Sequence, residues 1–340
     1  MAGLDLSDRR HVRALYLDLL GRTPTADEQE LAPSTKPEIL TRHLVRNREF
    51  WEHWYEDELY YFLLIDNARP EDEGEAGIPV RLMKGELGVL DGVRMIVSGS
   101  AFNRANPGND TFVSVVLEQL LDMDVQRNKV VLEAGKKMYD GSTSNLFGEK
   151  GRGQSGIVRI VTNQDGFSDL IARRQYERIV GLPAARKQGE AWGARLREEP
   201  DAYVELVREW VLSDAYAERL ASLRPKTDNQ FIRGLWVDLT GKKPDKVQLQ
   251  RLRGALSVLA DAGPLRSVIA RALLDAESER FPDRGDVNGE ELIKDTFLRY
   301  LGRSPSPEEL EDFAIIYAQE DTEPVTIVRS IVTHWEYQYY

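Results

Sequence analysis

Leu19-Leu20-Gly21-Arg22-Thr23-Pro24-Thr25-Ala26-Asp27-Glu28 is the stretch that decides the fold, because the chain keeps returning to it. It comes back as Leu239-Thr240-Gly241-Lys242-Lys243-Pro244-Asp245-Lys246-Val247-Gln248, and again as Tyr300-Leu301-Gly302-Arg303-Ser304-Pro305-Ser306-Pro307-Glu308-Glu309. Each copy reads as a helix stop followed at once by a helix start. Glycine is the residue that turns left-handed just past a helix end, and a proline soon after keeps that helix from resuming. Thr25 with Glu28, Asp245 with Gln248 and Ser306 with Glu309 then have capping-box spacing. In that box the cap oxygen takes one free backbone N–H, and the later side chain reaches back to another.

Working outward, Val12, Leu15, Tyr16, Leu19 and Leu20 have the spacing of an amphipathic helix before Gly21. A second helix runs through Glu28, and a third carries Ile39, Leu40, His43, Leu44 and Phe50 inward. The unit is helix A, Gly-x-x-Pro turn, helix B, helix C, closed by an aromatic five residues after a valine (Val45 and Phe50). It recurs with turns at Gly181 and Pro183, Gly241 and Pro244, and Gly302 and Pro305, matching Gly21 and Pro24. Weaker copies place Asp122 where glycine stands elsewhere, and Asn67-Ala68-Arg69-Pro70 in the same role. The later turns are about 60 residues apart, a period that indicates a repeat architecture. The expected fold is all-α, with six related three-helix units over 1–57, 58–111, 112–170, 171–225, 226–285 and 286–340, packed as a superhelix or a bundle. Two stretches interrupt the pattern: the acid- and glycine-rich 66–92, and the glycine-rich 140–156, both read as loops.

The 340 residues are 41% hydrophobic and 30% charged, as in a soluble globular protein, and carry a net charge of −12. That charge argues against sequence-independent nucleic-acid binding, which needs basic groups on phosphate. It also opposes adsorption to an anionic membrane. There are no cysteines, hence no disulfide, thiolate metal site or cysteine nucleophile. No apolar run approaches the ~20 residues that span a bilayer, and the first residues lack the order of a signal peptide. A cytoplasmic protein is expected, with export by an unread signal as the alternative.

Candidate chemistry is sparse. His53 stands among Glu52, Glu56 and Asp57, where Glu52 and Glu56 could share a cation but fit a solvated helix face better. Lys150 and Arg152 in Gly148-Glu149-Lys150-Gly151-Arg152-Gly153 could meet a phosphate beside glycine N–H groups, though the spacing is not that of a P-loop. No metal site and no catalytic residue is nominated. Arg22, Lys242 and Arg303 follow the turn glycine and are read as cations beside the last carbonyls of the preceding helix. Aromatics are in surplus at Trp51, Trp54, Tyr55 and Tyr61, and again at Trp335, Tyr337 and Tyr339. A helix with aromatics around most of its girth cannot bury them all, so part of each cluster is expected at a partner surface.

Leu15-Tyr16-Leu17-Asp18-Leu19-Leu20-Gly21-Arg22-Thr23-Pro24 resembles the Leu-Tyr-x-x-Leu-Leu-Gly-Arg-x-Pro signature of helical domains in bacterial surface-associated proteins of unknown function. Val211-Leu212-Ser213-Asp214-Ala215-Tyr216 resembles their closing Ser-x-x-Tyr, which phycobilisome linker domains share in similar form. A similar helix-turn sequence occurs in large cytochrome-associated proteins of planctomycete-like bacteria, but without Cys-x-x-Cys-His no covalent haem is implied here. The linker resemblance implies a scaffold joining other proteins, and carries no catalytic residue across.

The expected function is therefore a non-catalytic scaffold or adaptor that needs no cofactor, binding protein partners or a second copy of itself. The alternative is an enzyme or small-ligand-binding protein with its site at 50–110 and 140–156. A weaker option is a pigment or haem carrier with His43 or His53 as ligand.

Overall fold

The computed structural model describes residues 3–64, 77–199, 201–258 and 261–340. The chain divides into two compact units, Met1–Leu44 with Leu212–Tyr340, and Val45–Val211. In chain order the first stretch gives α1 (Arg9–Leu20), α2 (Ala26–Leu31) and α3 (Pro37–Val45). The second unit runs α4 (Arg48–Leu63), α5 (Ile78–Met83), α6 (Val89–Ser98), α7 (Ser100–Ala105), α8 (Asn109–Leu121) and α9 (Lys129–Tyr139). A hairpin of β1 (Ser144–Leu146) and β2 (Glu149–Gly151) follows, then α10 (Gly153–Thr162), α11 (Asp165–Val180), α12 (Arg186–Glu198) and α13 (Ala202–Val211). The chain then re-enters the first unit as α14 (Asp214–Arg219), α15 (Asp228–Thr240), α16 (Lys246–Leu256) and α17 (Gly263–Ala276). It ends with α18 (Gly289–Tyr300), α19 (Pro307–Tyr317), α20 (Pro324–Val332) and a 3-10 turn over Trp335–Gln338. The fold is all-α apart from one small hairpin.

The repeated stretch does locally what its residues dictate. Gly21, Gly181 and Gly241 end α1, α11 and α15 in the left-handed region, at φ 68°, 74° and 69°. Each donates its N–H to the carbonyl four residues back. Gly302 follows α18 at φ 72°. Asp122 takes the same conformation after α8, at φ 55°, so an aspartate tolerates here what glycine does elsewhere. Helix α4 stops on a left-handed Leu64, at φ 52°; the Asn67-Ala68-Arg69-Pro70 turn lies outside the described residues. The boxes at Thr25 and Glu28, Asp245 and Gln248, and Ser306 and Glu309 are all formed.

At two of the three turns the cation after the glycine reaches forward to the next helix. Arg22 shows how. It grips the capping-box acid ahead of it, Glu28, with bonds of 2.7 and 2.9 Å, and donates to Thr23 O. Arg303 holds Glu309 in the same way, at 2.6 and 2.7 Å. The left-handed residue has redirected the chain, so the next side chain faces the following helix. These bidentate pairs bridge stop and start, and Arg303 helps hold the Glu309 carboxyl down to about 2.

The closing aromatic also has a specific place. Helix C ends before it, an extended cap residue follows, and the aromatic enters the first turn of a new helical segment. Asn47, Gly99, Gln164, Ser213 and His334 are those caps. Three residues on come Phe50, Phe102, Phe167, Tyr216 and Tyr337, each at most 1% exposed. The helix expected to run on to Phe50 thus stops at Val45, and Phe50 belongs to α4. Its inward stripe is Leu40, Thr41, Leu44 and Val45, while Ile39 is 55% exposed and His43 faces solvent. In the second unit the corner aromatics continue into a chain of edge-on rings, with Phe62, Phe102 and Phe112 spaced 6.5 and 5.8 Å apart.

The glycine-rich 140–156 is not a loop. Ser144 pairs with Gly151 and Leu146 with Glu149, around a two-residue tip with Phe147 at φ 51° and Gly148 at φ 86°. Leu146 is 1% exposed, and a Cβ on Gly151 would lie 2.4 Å from the Met138 methyl. Two three-residue strands are too short to show alternation in the sequence.

A glycine series separates conformation from space. At Gly241 a Cβ would meet open space, so Gly241→Ala is expected to cost only the left-handed backbone, about 1 kcal/mol. Gly302→Ala should cost more, because its Cβ would also sit 3.0 Å from the Arg10 nitrogen. Gly254→Ala, in exposed helix α16, should gain about 0.5 kcal/mol. Urea midpoints should follow that order; a Gly241→Ala protein as stable as wild type would remove the left-handed stop from the account.

Candidate functional site

Two carboxylates organise the first unit, Asp18 and Asp238, each three residues before a turn glycine. That spacing puts them on the inward face of α1 and α15, where both are 4% exposed. Asp238 takes a two-pronged pair from Arg13, at 3.0 and 2.8 Å, and the hydroxyl of Tyr337 at 2.8 Å. Asp18 takes Tyr216 OH at 2.8 Å and Tyr340 OH at 2.7 Å, with Arg219 on the same carboxylate and Arg224 at 3.4 Å. Burial first, and the carboxylate second, push both the Tyr216 and the Tyr337 hydroxyl well above the usual tyrosine range. They therefore stay protonated and donate.

The C-terminal segment is strapped down by this system. Arg224 and Tyr340 exchange backbone bonds of 2.8 and 2.9 Å, and Lys226 N–H donates to Gln338 O at 2.8 Å. Glu336 receives Arg303 at 2.7 and 2.6 Å and Arg10 at 3.0 Å. Lys226 is 3% exposed; its Nζ donates to Tyr337 O at 2.6 Å and lies 3.9 Å above that ring. Burial, reinforced by Arg13, drives its pKa well below the ordinary lysine value.

Between these anchors two aromatics are left outside. Trp335 is 57% exposed and Tyr339 39%, their rings edge-on at 5.9 Å, with the His334 ring 5.5 Å from that of Trp335. Tyr339 and the exposed Leu223 line a small hollow of about 30 Å³ with Arg10 and Glu336. Tyr337, also expected as a contact residue, is instead an interior strut.

The second unit has its own buried acid, Glu58, at 2% exposure. Gln175 donates to it at 2.5 Å and Arg174 pairs with it, while Arg178 holds Asp57 at 2.7 Å. Tyr203 OH donates to Gln175 at 2.7 Å. Desolvation raises the Glu58 carboxyl pKa, although Arg174 and Arg178 oppose it. Sequence reading missed Glu58, yet a signal was present: Phe50, Trp54, Glu58 and Phe62 form one i,i+4 stripe, with an acid in an apolar row.

The nominated ligand residues fall around this network without converging. His53 is buried, with Nε2 3.6 Å from Asp57. Glu52 pairs with Arg48 at 2.7 Å, and Glu56 is half-buried. Among the described residues, no group of three or more His, Asp or Glu is placed to hold a metal ion. Trp51, Trp54 and Tyr55 are 5%, 0% and 5% exposed, so they are core and not contact surface. Trp51 and Tyr203 rings lie 5.9 Å apart. The helix buries aromatics on most of its circumference because α5, α6 and α13 wrap it. Tyr61 is 40% exposed with the Arg174 guanidinium 3.9 Å over its ring. Lys150 and Arg152 are exposed, on β2 and at the start of α10, and the Gly148 N–H is taken by Asn145 at 2.8 Å. The glycines serve the hairpin. No protein family, curated protein or solved structure matches this chain.

Two measurements probe the buried polar system. Arg13→Met leaves Asp238 buried with one partner removed, and should lose about 3–5 kcal/mol of stability; Tyr337→Phe should lose about 1–2 kcal/mol. Equilibrium unfolding checks both, and an unchanged Arg13→Met would show that the pair does not support the fold. Lys226 supplies a pH dependence. Its folded pKa is depressed, so its penalty is absent above the unfolded value near 10.5 and grows as pH falls below it. Lys226→Met removes that term. The stability of wild type relative to this variant should rise steadily between pH 7 and 10, and a flat difference would place a normal lysine there.

Proposed function

We propose that the protein is a non-catalytic helical scaffold that holds other proteins through the aromatic surface at Trp335 and Tyr339. The observation that carries this reading is an exposed indole and phenol on a backbone fixed from beneath. Trp335 and Tyr339 sit on a segment tied down by Glu336, Tyr337 and Tyr340, so their positions are set before any partner arrives. Tryptophan and tyrosine are favoured interface anchors, and a preorganised anchor loses little conformational freedom on binding. The partner is another protein or a second copy of this chain.

The buried acids, with the half-buried Asp57, support the same reading from the other side. Asp18, Asp238, Asp57 and Glu58 each face an arginine, with tyrosine hydroxyls or an amide on Asp18, Asp238 and Glu58. Their protons and charges are committed to holding helices together. The net charge of −12 favours basic or neutral protein surfaces over nucleic acid. No described helix is long and apolar enough to cross a membrane.

Immobilised wild type, Trp335→Ala and Tyr339→Ala should be compared as baits in lysate of the source cells, beside sedimentation velocity of the pure protein. The expected result is a co-purifying protein, or a dimer, that Trp335→Ala reduces at least tenfold. Thermal stability should hold, because the indole is more than half exposed. Equal retention by all three baits would remove this surface from the function.

A further inference from the structure

Helices α16 and α19 follow matching turns, each beginning two residues after its proline, Pro244 or Pro305. Each buries one narrow side, Leu249 and Leu256 in α16 and Tyr317 in α19. Their outward sides carry opposite charge. On the turn and first helical residues of α16, Lys242, Lys243, Lys246 and Arg251 are exposed. The one acid among them, Asp245, is used as the cap of α16. Between 308 and 321 there are six acids and no cation. Arg303 holds Glu309, while Glu308, Glu311 and Asp312 are exposed and take no ion pair among the described residues.

Aliphatic surface lies among these charges. Glu308, Asp312 and Ile315 have i, i+4, i+7 spacing and share one stripe of α19, where Ile315 is more than half exposed. Val247, Arg251 and Gly254 share the equivalent stripe of α16, which runs on to Val258, and both valines are more than half exposed. A Cβ on Gly254 would meet open space. Glycine inside a helix weakens it, and here it leaves the stripe flat enough for another helix to come close.

We propose that α19 of one molecule docks on α16 of a second copy of this chain. The complement of each stripe is present on the same chain at the same spacing. Aligned in parallel from their first residues, Asp312 falls beside Arg251, Ile315 beside Gly254 and Ile316 beside Ala255. An aliphatic side chain then fills the gap that the glycine leaves. Pairing α19 with α19, or α16 with α16, would set like charges together. Copies with a net charge of −12 also repel one another overall, so association needs the opposite stripes to meet. The contact is head-to-tail: each copy offers α16 to one neighbour and α19 to the next. It does not depend on Trp335 and Tyr339 being a docking surface.

Sedimentation velocity of the full chain, over a wide range of concentration and at low and high salt, tests the contact. The sedimentation coefficient should rise with concentration at low salt and fall back to the monomer value in high salt, where exposed charges are screened. Lys246→Glu with Arg251→Glu makes the chain more acidic, and Glu311→Lys with Asp312→Lys makes it less so. Each pair should weaken self-association at least tenfold. General repulsion between acidic chains would instead move the two variants in opposite directions. All four side chains are exposed, so both variants should keep the wild-type circular dichroism and melting temperature. An equimolar mixture of the two should associate as wild type does, because each then meets a complementary stripe. A wild type that stays monomeric at every concentration would overturn the proposal, as would stronger association in the Glu311→Lys, Asp312→Lys protein or a mixture of folded variants that stays monomeric. Trp335→Ala should leave the association unchanged. Association lost in Trp335→Ala and kept in both double variants would assign it to the aromatic surface instead.

Discussion

A carboxylate buried three residues before a helix stop is the constraint on which the first unit depends. Taking Asp18 and Asp238 out of water costs several kcal/mol each unless their charge and lone pairs are met. What meets them comes from far along the chain: Tyr216, Arg219 and Tyr340 for Asp18, Arg13 and Tyr337 for Asp238. Each aspartate therefore selects its neighbours. Apolar packing alone would accept several registers between α1, α15 and the corner segments, because methyl groups interchange at small cost. A buried charge with two or three aimed donors accepts one.

The second unit reaches a comparable end by another route, and the difference is written in its corners. Where the corner aromatic is tyrosine, as at Tyr216 and Tyr337, an aspartate stands three residues before a turn glycine to receive its hydroxyl. Where the corner is Phe50, Phe102 or Phe167 there is no hydroxyl to satisfy. The residues three before the stops at Leu64, Asp122 and Gly181 are then Tyr61, Gln119 and Arg178. The acid has moved to Glu58, one position of the stripe that α4 turns toward α11, and its donors are Arg174 and Gln175. The pairing of tyrosine with aspartate and of phenylalanine with its absence follows from one rule, that a buried polar atom needs a partner.

What the sequence disclosed and what it hid divide along the same line. The stops at Gly21, Gly181 and Gly241 and the boxes at Thr25, Asp245 and Ser306 are interactions within a few residues, so the residues themselves announce them. The forward grip of Arg22 on Glu28 is nearly as local yet is not announced by the residues, since it depends on which way a left-handed residue sends the chain. Exposure is not local at all. Trp51, Trp54 and Tyr55 looked too many for one core because the helices that wrap α4 come from distant parts of the sequence. His43 looked buried because a nine-residue helix shows too few turns to phase its stripe. Glu58 and Lys226 were legible only as polar residues in apolar company, a pattern that marks either an error in the assignment or a buried network.

The networks also decide what the surface can do. Glu336, Tyr337 and Tyr340 face inward onto Arg303, Asp238 and Asp18, and this fixes the residues between and beside them, Trp335 and Tyr339, outward. An exposed aromatic on a mobile tail would lose rotational and backbone freedom each time it docked, at about 1–2 kcal/mol per residue ordered. Here that ordering is completed when the unit folds. The buried aspartates thus act at a distance on the surface, by making the position of an indole a property of the core.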